Sequence, residues 1–519
     1  MQPPPSPALS ARQRGDFQTP VDLARQIWAT LDAASYDLII EPTFGLGSFL
    51  ATLPLAYRAD VMGWEIEPEH WAATRAAMPE RFRLHCSDIF AATLSDLGMP
   101  NDSQLLVIGN PPWVTNAEQG TLGGRNTGVK KNLKALAGLD ALTGKANYDT
   151  AEAILLHLIG LVRPLRVTDF ALLVKASVVR NLLTFLGQES WIGDFEFHRI
   201  DTQHYFGAAV DAGLLKFRLG GSISRWGSCP IFAGIAGPLV REISIVDRRL
   251  IYDAAAYRRT ASLEAHGVAH YEWRQGVKHD LRDLFELRET EQGLWNRLGE
   301  QVCVEDATLY QLHKGSDIFH GRPARFAVPL YQRDLKDTLD DLEVRFPLLW
   351  QYLQRHSVSF AARRSRIYRA RHQFALFGIG EYTYRRYKVA IGALYDEPQF
   401  RLLAPTLRIP VTDDTCYFLA TDDHTEAIYL HTLLALDCVR EFLLSISAAG
   451  EKRRFTKEVL SRLKLPPMSA CPTNLCNTLV AQWQDCTAVS VATRRELQAW
   501  LLNYRQPVQQ LSLFADAVQ

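Results

Sequence analysis

Asn110, Pro111, Pro112 and Trp113 follow, after Gly109, on the apolar run Leu105–Ile108. The length and branching of that run, closed by Gly109, predict a buried parallel strand ending where the prolines begin. Proline fixes its own φ and pushes the preceding residue out of the helical region, so Asn110 and Pro111 are both expected to be extended. Two acceptors then stand still at the strand end, the Asn110 side-chain oxygen and the Pro111 carbonyl. Such a pair suits a reaction at an aromatic amine, whose lone pair is delocalised into its ring and attacks poorly. Accepting from both of its N–H groups favours a more tetrahedral nitrogen, a preorganised electrostatic effect. Trp113 offers a flat face to a planar base taken out of a duplex. A strand-ending turn with a packed Trp is the plainer alternative.

This chemistry needs neighbouring elements to hold a second reactant. Upstream, Thr19 is placed to cap, and Pro20 to open, a helix running towards Leu31. A short strand, Tyr36–Ile40, runs into Glu41-Pro-Thr-Phe-Gly-Leu-Gly47, whose Gly45 and Gly47 let backbone approach a ligand closely. About 20 residues further on, where a nucleotide-binding α/β unit puts the carboxylate that accepts ribose hydroxyls, the strand Val61–Trp64 ends at Glu65. After a helix over Pro68–Met78, the segment Phe82–Phe90 gives another strand ending in an acid, Asp88, followed by Ile89 and Phe90. Those two side chains could clamp an adenine ring while Asp88 accepts from its amino group. Successive strand ends thus carry ligand chemistry on one edge of one sheet, where open α/β sheets place their sites.

The order of Thr19-Pro20, Glu41-Pro-Thr-Phe-Gly-Leu-Gly47, Glu65, Asp88-Ile-Phe90 and Asn110-Pro-Pro-Trp113 resembles that of the gamma-type N6-adenine DNA methyltransferases. The resemblance implies a Rossmann-like, seven-stranded class I methyltransferase domain of the α/β class. It implies S-adenosyl-L-methionine as cofactor, held by Thr19, Pro20, Glu41, Thr43, Phe44, Gly45, Gly47, Glu65, Ile66, Asp88, Ile89 and Phe90 together with Asn110. It makes Asn110, Pro111, Pro112 and Trp113 the catalytic motif. The target base would lie against Trp113 and an aromatic from the segment Ile200–Phe217, for which Phe206 is the candidate and Tyr205 the alternative, core packing being the plainer role. Thr43-Phe44 departs from the small pair more usual in the family.

Downstream, residues 120–145 are glycine-rich, with Arg125, Lys130, Lys131, Lys134 and Lys145 against Asp140, and could close over a DNA backbone. A helix through Leu161 and a strand at Phe170–Lys175 continue the sheet. Gly220-Gly221 to Pro230 reads as a linker. The expected domains are therefore residues 1–225 (methyltransferase), 226–470 (an α+β DNA target-recognition domain) and 471–519 (a C-terminal helix and tail). In the second, Arg345 to Ala390 is rich in arginine and lysine, including Arg363, Arg364, Arg366, Arg385, Arg386 and Lys388, with aromatics interleaved and Glu381 the one acid. Arginine suits phosphate and guanine edges, and aromatic rings suit stacking. The tail residues Gln510, Leu511, Leu513 and Phe514 resemble the bacterial sliding-clamp-binding motif.

Composition sets the frame. At 519 residues the chain exceeds one ordinary core, and with 57 Lys plus Arg against 57 Asp plus Glu a nucleic-acid surface must be local. Eight cysteines without a Cys-x-x-Cys pair favour reduced thiols in a cytoplasmic protein and give no metal set. Met1–Arg14 lacks the apolar core of a secretory signal, and the best apolar run, Ala153–Val162, is too short to span a membrane. The expected activity is site-specific methylation of adenine N6 in double-stranded DNA, as the modification enzyme of a restriction-modification or related defence system, with a separate restriction endonuclease as a candidate partner. The rivals are a protein or RNA methyltransferase, a fused nuclease and a non-catalytic DNA-binding subunit. No Glu-x-Lys triplet supports cleavage, and Asp334-Leu-Lys336 stands without an obvious upstream acid.

Overall fold

The strand Leu38–Glu41 (β1), buried at every position, sits at the heart of a parallel sheet. It pairs on one side with Asp60–Glu65 (β2) and on the other with Gln104–Gly109 (β4), both parallel, with Leu38 opposite Asp60 and Leu105. In the computed structural model, residues 17–114, 149–267, 269–333, 342–365, 367–368, 371–484 and 489–505 are described. Lys130, Lys131, Arg366 and the clamp-like residues 510–514 lie outside them.

Beyond β2 comes Arg83–Cys86 (β3), and beyond β4 comes Val167–Lys175 (β5), again parallel. Ala212–Gly220 (β7) then pairs antiparallel with β5, and Ile192–Arg199 (β6) antiparallel with β7. The order β3-β2-β1-β4-β5-β7-β6 accounts for seven strands, but the sheet has ten. Ser228–Phe232 (β8) joins β6 in parallel, and Leu239–Val246 (β9) and Arg249–Ile251 (β10) extend it antiparallel. The expected linker is therefore corrected: the glycines at 220 and 221 end β7 in the left-handed region, and the chain turns back into the same sheet. The first compact unit ends at Ala255, later than the expected 225.

Short helices separate the parallel strands: Val21–Trp28 (α1) before β1, Ser48–Ala51 (α2), Pro68–Ala77 (α3) and Leu94–Leu97 (α4) between successive strands, then Thr150–Val162 (α5), Ala176–Leu186 (α6) and Thr202–Phe206 (α7). Pro20, not Thr19, stands at the N-cap of α1, and no side chain caps it. Thr19 is buried instead. The apolar run Ala153–Val162 lies within α5, which carries Leu155, Leu158 and Val162 into the sheet's core. Among the described residues no helix is long and apolar enough to cross a membrane.

The second unit, Ala256–Gln519, is built from smaller sheets. One orders Arg274–Gln275, Cys416–Thr421, Tyr387–Gly392 and Phe400–Leu403; another sets Leu309–His313 between Phe326–Pro329 and Pro410–Thr412. Helices His424–Leu434 and Asp437–Ser445 follow. This is the mixed α+β character expected of the second half.

Candidate active site

The parallel order places the carboxyl ends of β3, β2, β1 and β4 side by side. Glu41 ends β1, Glu65 ends β2, Asp88 follows β3 and Asn110 follows β4. The turn after β1 depends on glycine twice. Gly45 and Gly47 have φ of +51° and +73°, where a side chain is strained, and a Cβ on Gly47 would lie 2.6 Å from Thr74 Cγ2. The turn's backbone is tied from several directions. Gly45 N–H donates to Glu65 Oε2 at 2.8 Å, the Thr74 hydroxyl donates to the Gly45 carbonyl at 3.0 Å, and Gly47 N–H donates to the Phe44 carbonyl at 2.7 Å.

Glu65, nearly buried, also accepts from Glu67 N–H at 2.8 Å through Oε1. A carboxylate has about four lone-pair sites, so each oxygen keeps one open to a further donor, such as a ribose hydroxyl. Glu41 is in a harsher setting. Burial pushes its carboxyl well above the usual carboxylate range, the neighbouring Glu65 adds to the rise, and the Leu50 N–H offsets part of it. Its Oε2, the Thr43 hydroxyl and Asn110 Oδ1 are buried with no hydrogen-bond partner. Buried polar atoms are ordinarily paired, so these three, gathered at neighbouring strand ends, are open to a polar guest. S-adenosylmethionine fits that demand through its ammonium group and ribose, with Glu41, Thr43, Glu65 and the Gly45–Gly47 turn as the residues that would hold it.

Asp88 Oδ1 caps the next turn by accepting from Phe90 N–H at 3.0 Å. Ile89 is buried and Phe90 half-buried, while Ile66 is 46% exposed and free to cover a flat ring. His157, on α5, was not anticipated. Its Nε2 lies 3.1 Å from the Ile89 carbonyl and its ring 5.2 Å from that of Phe90, so it backs the would-be adenine clamp. A histidine inside a long apolar run gave no sign of this contact.

At the β4 end, Asn110 Nδ2 donates to the Phe17 carbonyl at 2.8 Å. The amide is thereby turned so that Oδ1 is the oxygen left free. Trp113 is buried, with Nε1 donating to the Leu173 carbonyl at 3.1 Å. Its ring does not present an open face: Phe17 and Phe206 lie against it at 5.5 and 5.1 Å, tilted by 46° and 74°. Phe206 is half-buried on α7, between β6 and β7. The two aromatic candidates for the target base therefore meet, and Phe17 joins them as a third ring. Its only sequence signal was its place just before Gln18-Thr19-Pro20.

The expected DNA-contacting cations divide. Arg364, Arg385 and Arg386 are exposed. Lys388 is fully buried, its ammonium donating to the Arg385 carbonyl at 2.7 Å, and burial lowers its pKa to about 7. Arg363 is likewise internal in function. Its guanidinium donates to the carbonyls of Ala375 at 2.8 Å and Gln373 at 2.6 Å and stacks 3.6 Å from the Tyr368 ring centre. Lys388 is thereby corrected from a DNA contact to a packing group, while Arg363 is half-buried with its guanidinium engaged in its own domain. Among the described residues no group of three or more His, Cys, Asp or Glu side chains could hold a metal ion.

No family model matches the chain. A curated relative, the type II methyltransferase M.NspV of Nostoc sp., is 33% identical over 466 residues, which is 87% of this chain and 96% of the relative. Among solved structures, the type IIL restriction-modification enzyme MmeI in complex with DNA matches with a TM-score of 0.51 at 12% identity, over 89% of this chain and 67% of that one, a likeness of fold. By the identity and span shared with M.NspV, the chain belongs to the type II DNA methyltransferases of restriction-modification systems.

Proposed function

We propose that the enzyme methylates N6 of adenine within a defined sequence of double-stranded DNA. S-adenosylmethionine is the cofactor expected of its family, and when bound it supplies an electrophilic methyl group on sulfur. The observation that carries the reading is Asn110: Nδ2 is committed to the Phe17 carbonyl, and Oδ1 is buried without a partner. An acceptor so fixed suits one N–H of an exocyclic amine, and the Pro111 carbonyl offers the second. These two acceptors raise the nucleophilicity of the amine nitrogen without needing a strong base. An amine inside a duplex cannot reach them, so the adenine must be turned out of the stack. The half-buried Phe17 and Phe206, backed by the buried Trp113, then supply its aromatic surroundings.

The exposed Arg364, Arg385 and Arg386 are the candidate phosphate contacts of a recognition domain in the second unit. A separate endonuclease reading the same sequence is the expected companion.

The test is incubation of the purified chain with methyl-labelled cofactor and, in parallel, plasmid DNA, total RNA and protein. Nucleosides from the digested DNA are then separated. Label in N6-methyladenine is the expected result. Label in N4-methylcytosine, in RNA or in protein overturns the proposal.

A further inference from the structure

The turn between β1 and α2 is the part of the cleft that must stay in one shape for a cofactor to seat. Leu46 lies in this turn with its side chain 52% exposed. What holds it is its backbone, whose N–H donates to Gln18 Oε1 at 2.9 Å. The fit is close: a Cβ on Gly45 would lie 2.6 Å from the same Oε1 and 2.9 Å from Nε2. The carboxamide therefore lies directly over the turn. One residue earlier, the Phe17 carbonyl fixes Asn110.

We propose that Gln18 is a positioning residue for the cofactor, holding the Gly45–Gly47 turn in its binding shape from the same dipeptide that orients Asn110. It acts through the Leu46 N–H and touches neither methyl donor nor acceptor. The inference rests on the placement of S-adenosylmethionine in this cleft, not on which base is methylated. A binding measurement therefore tests it separately from the proposed activity.

The test compares Gln18→Ala and Gln18→Glu with the parent by calorimetry with S-adenosylhomocysteine, together with the melting temperature of each protein without ligand. Glutamate keeps an oxygen at the same reach, whereas alanine leaves Leu46 N–H to water. Removing one neutral hydrogen bond from a partly exposed turn corresponds to roughly three- to tenfold in affinity. Gln18→Ala is expected to bind that much more weakly, Gln18→Glu to recover to within about twofold, and the unliganded melting temperatures to differ by no more than a few degrees. In steady state the loss should appear in the KM for cofactor, with kcat at saturation retained. Equal binding by Gln18→Ala and the parent overturns the proposal. So does a fall in melting temperature and affinity that Gln18→Glu fails to restore, because that identifies a merely structural contact. A parent that binds cofactor yet leaves adenine unmodified would overturn the proposed base and leave Gln18 in its role.

Discussion

Asn110 donates its side-chain N–H to the main-chain carbonyl of Phe17, far away in sequence, at 2.8 Å. This bond decides which end of the amide faces the cleft. An asparagine free to rotate would offer a donor or an acceptor to an incoming amine. The Phe17 carbonyl, which can only accept, fixes the nitrogen and leaves the oxygen as the open acceptor, the role the proposed reaction at an amine requires. Asn110→Ala removes that preorganised acceptor, and the loss of one such group typically costs about 100- to 1000-fold in rate. Cofactor affinity should change little. Single-turnover methyl transfer with saturating cofactor and DNA measures it, and a rate within a few-fold of the parent would refute the role.

Glu41 is an acid made uncomfortable by its setting. Its pKa in the fold is raised above 4.5 by burial first and by Glu65 second. Below that pH both folded and unfolded chains hold the proton and nothing is lost. Above it the unfolded chain releases a proton that the fold retains, so stability falls as pH rises, by up to about 1.4 kcal/mol per pH unit, until the folded pKa is passed. Glu41→Gln keeps the shape and removes the titration. The unliganded variant is expected to melt higher than the parent at pH 8, with a smaller difference at pH 5, yet to bind cofactor more weakly. Thermal scans at both pH values check the first claim and calorimetry the second. A difference in melting temperature that is flat with pH counts against it.

Trp113 and Phe206 touch, but they are held differently. Trp113 is buried among Leu106, Ile108 and Leu173 with its N–H committed, whereas Phe206 stands half-buried on a five-residue helix. Trp113→Ala should therefore destabilise by about 3–5 kcal/mol, the usual cost of emptying a large aromatic site. Phe206→Ala should leave the melting temperature nearly unchanged and weaken capture of the extruded base. Fluorescence of 2-aminopurine at the target position reads that capture. If Phe206→Ala unfolds the protein as readily as Trp113→Ala, Phe206 belongs to the core alone.

The strand ends and their turns were legible because proline and glycine set backbone shape locally. Gly45, Gly47, Pro111 and Pro112 carry their geometry in their own covalent structure, so the turns they impose can be read before any packing is known. The bonds from Phe17 and Gln18 were not, since each joins residues distant in the chain and uses a main-chain carbonyl or a common amide. Strands β8 to β10 were missed for a related reason. The glycines near 220 signal a turn, and a turn within a sheet looks the same in sequence as a turn between domains. In the basic, aromatic-rich segment, composition misled in part. Phe360, Tyr368 and Phe374 are core residues, and Arg363 spends its guanidinium on carbonyls and the Tyr368 ring. Arginine and aromatic rings serve packing and phosphate recognition alike, and burial alone separates the two.

That separation can be measured at neighbouring residues. Arg385 and Arg386 are exposed, while Lys388 is buried and bonded to the Arg385 carbonyl. Replacing both arginines by alanine should weaken DNA binding across sequences and lower the slope of affinity against salt by about one for each phosphate no longer neutralised. Lys388→Met should leave that slope unchanged and alter stability instead. Burial lowers the Lys388 pKa from 10.5 to about 7. Between those values the unfolded chain binds a proton that the fold does not, so this lysine makes stability rise with pH across the window. Without it the rise should flatten, leaving the methionine variant relatively more stable near pH 7 than near pH 10. Salt titrations of DNA binding and urea unfolding at the two pH values settle both halves. A Lys388→Met variant that loses salt slope like the arginine pair would return the lysine to the DNA surface.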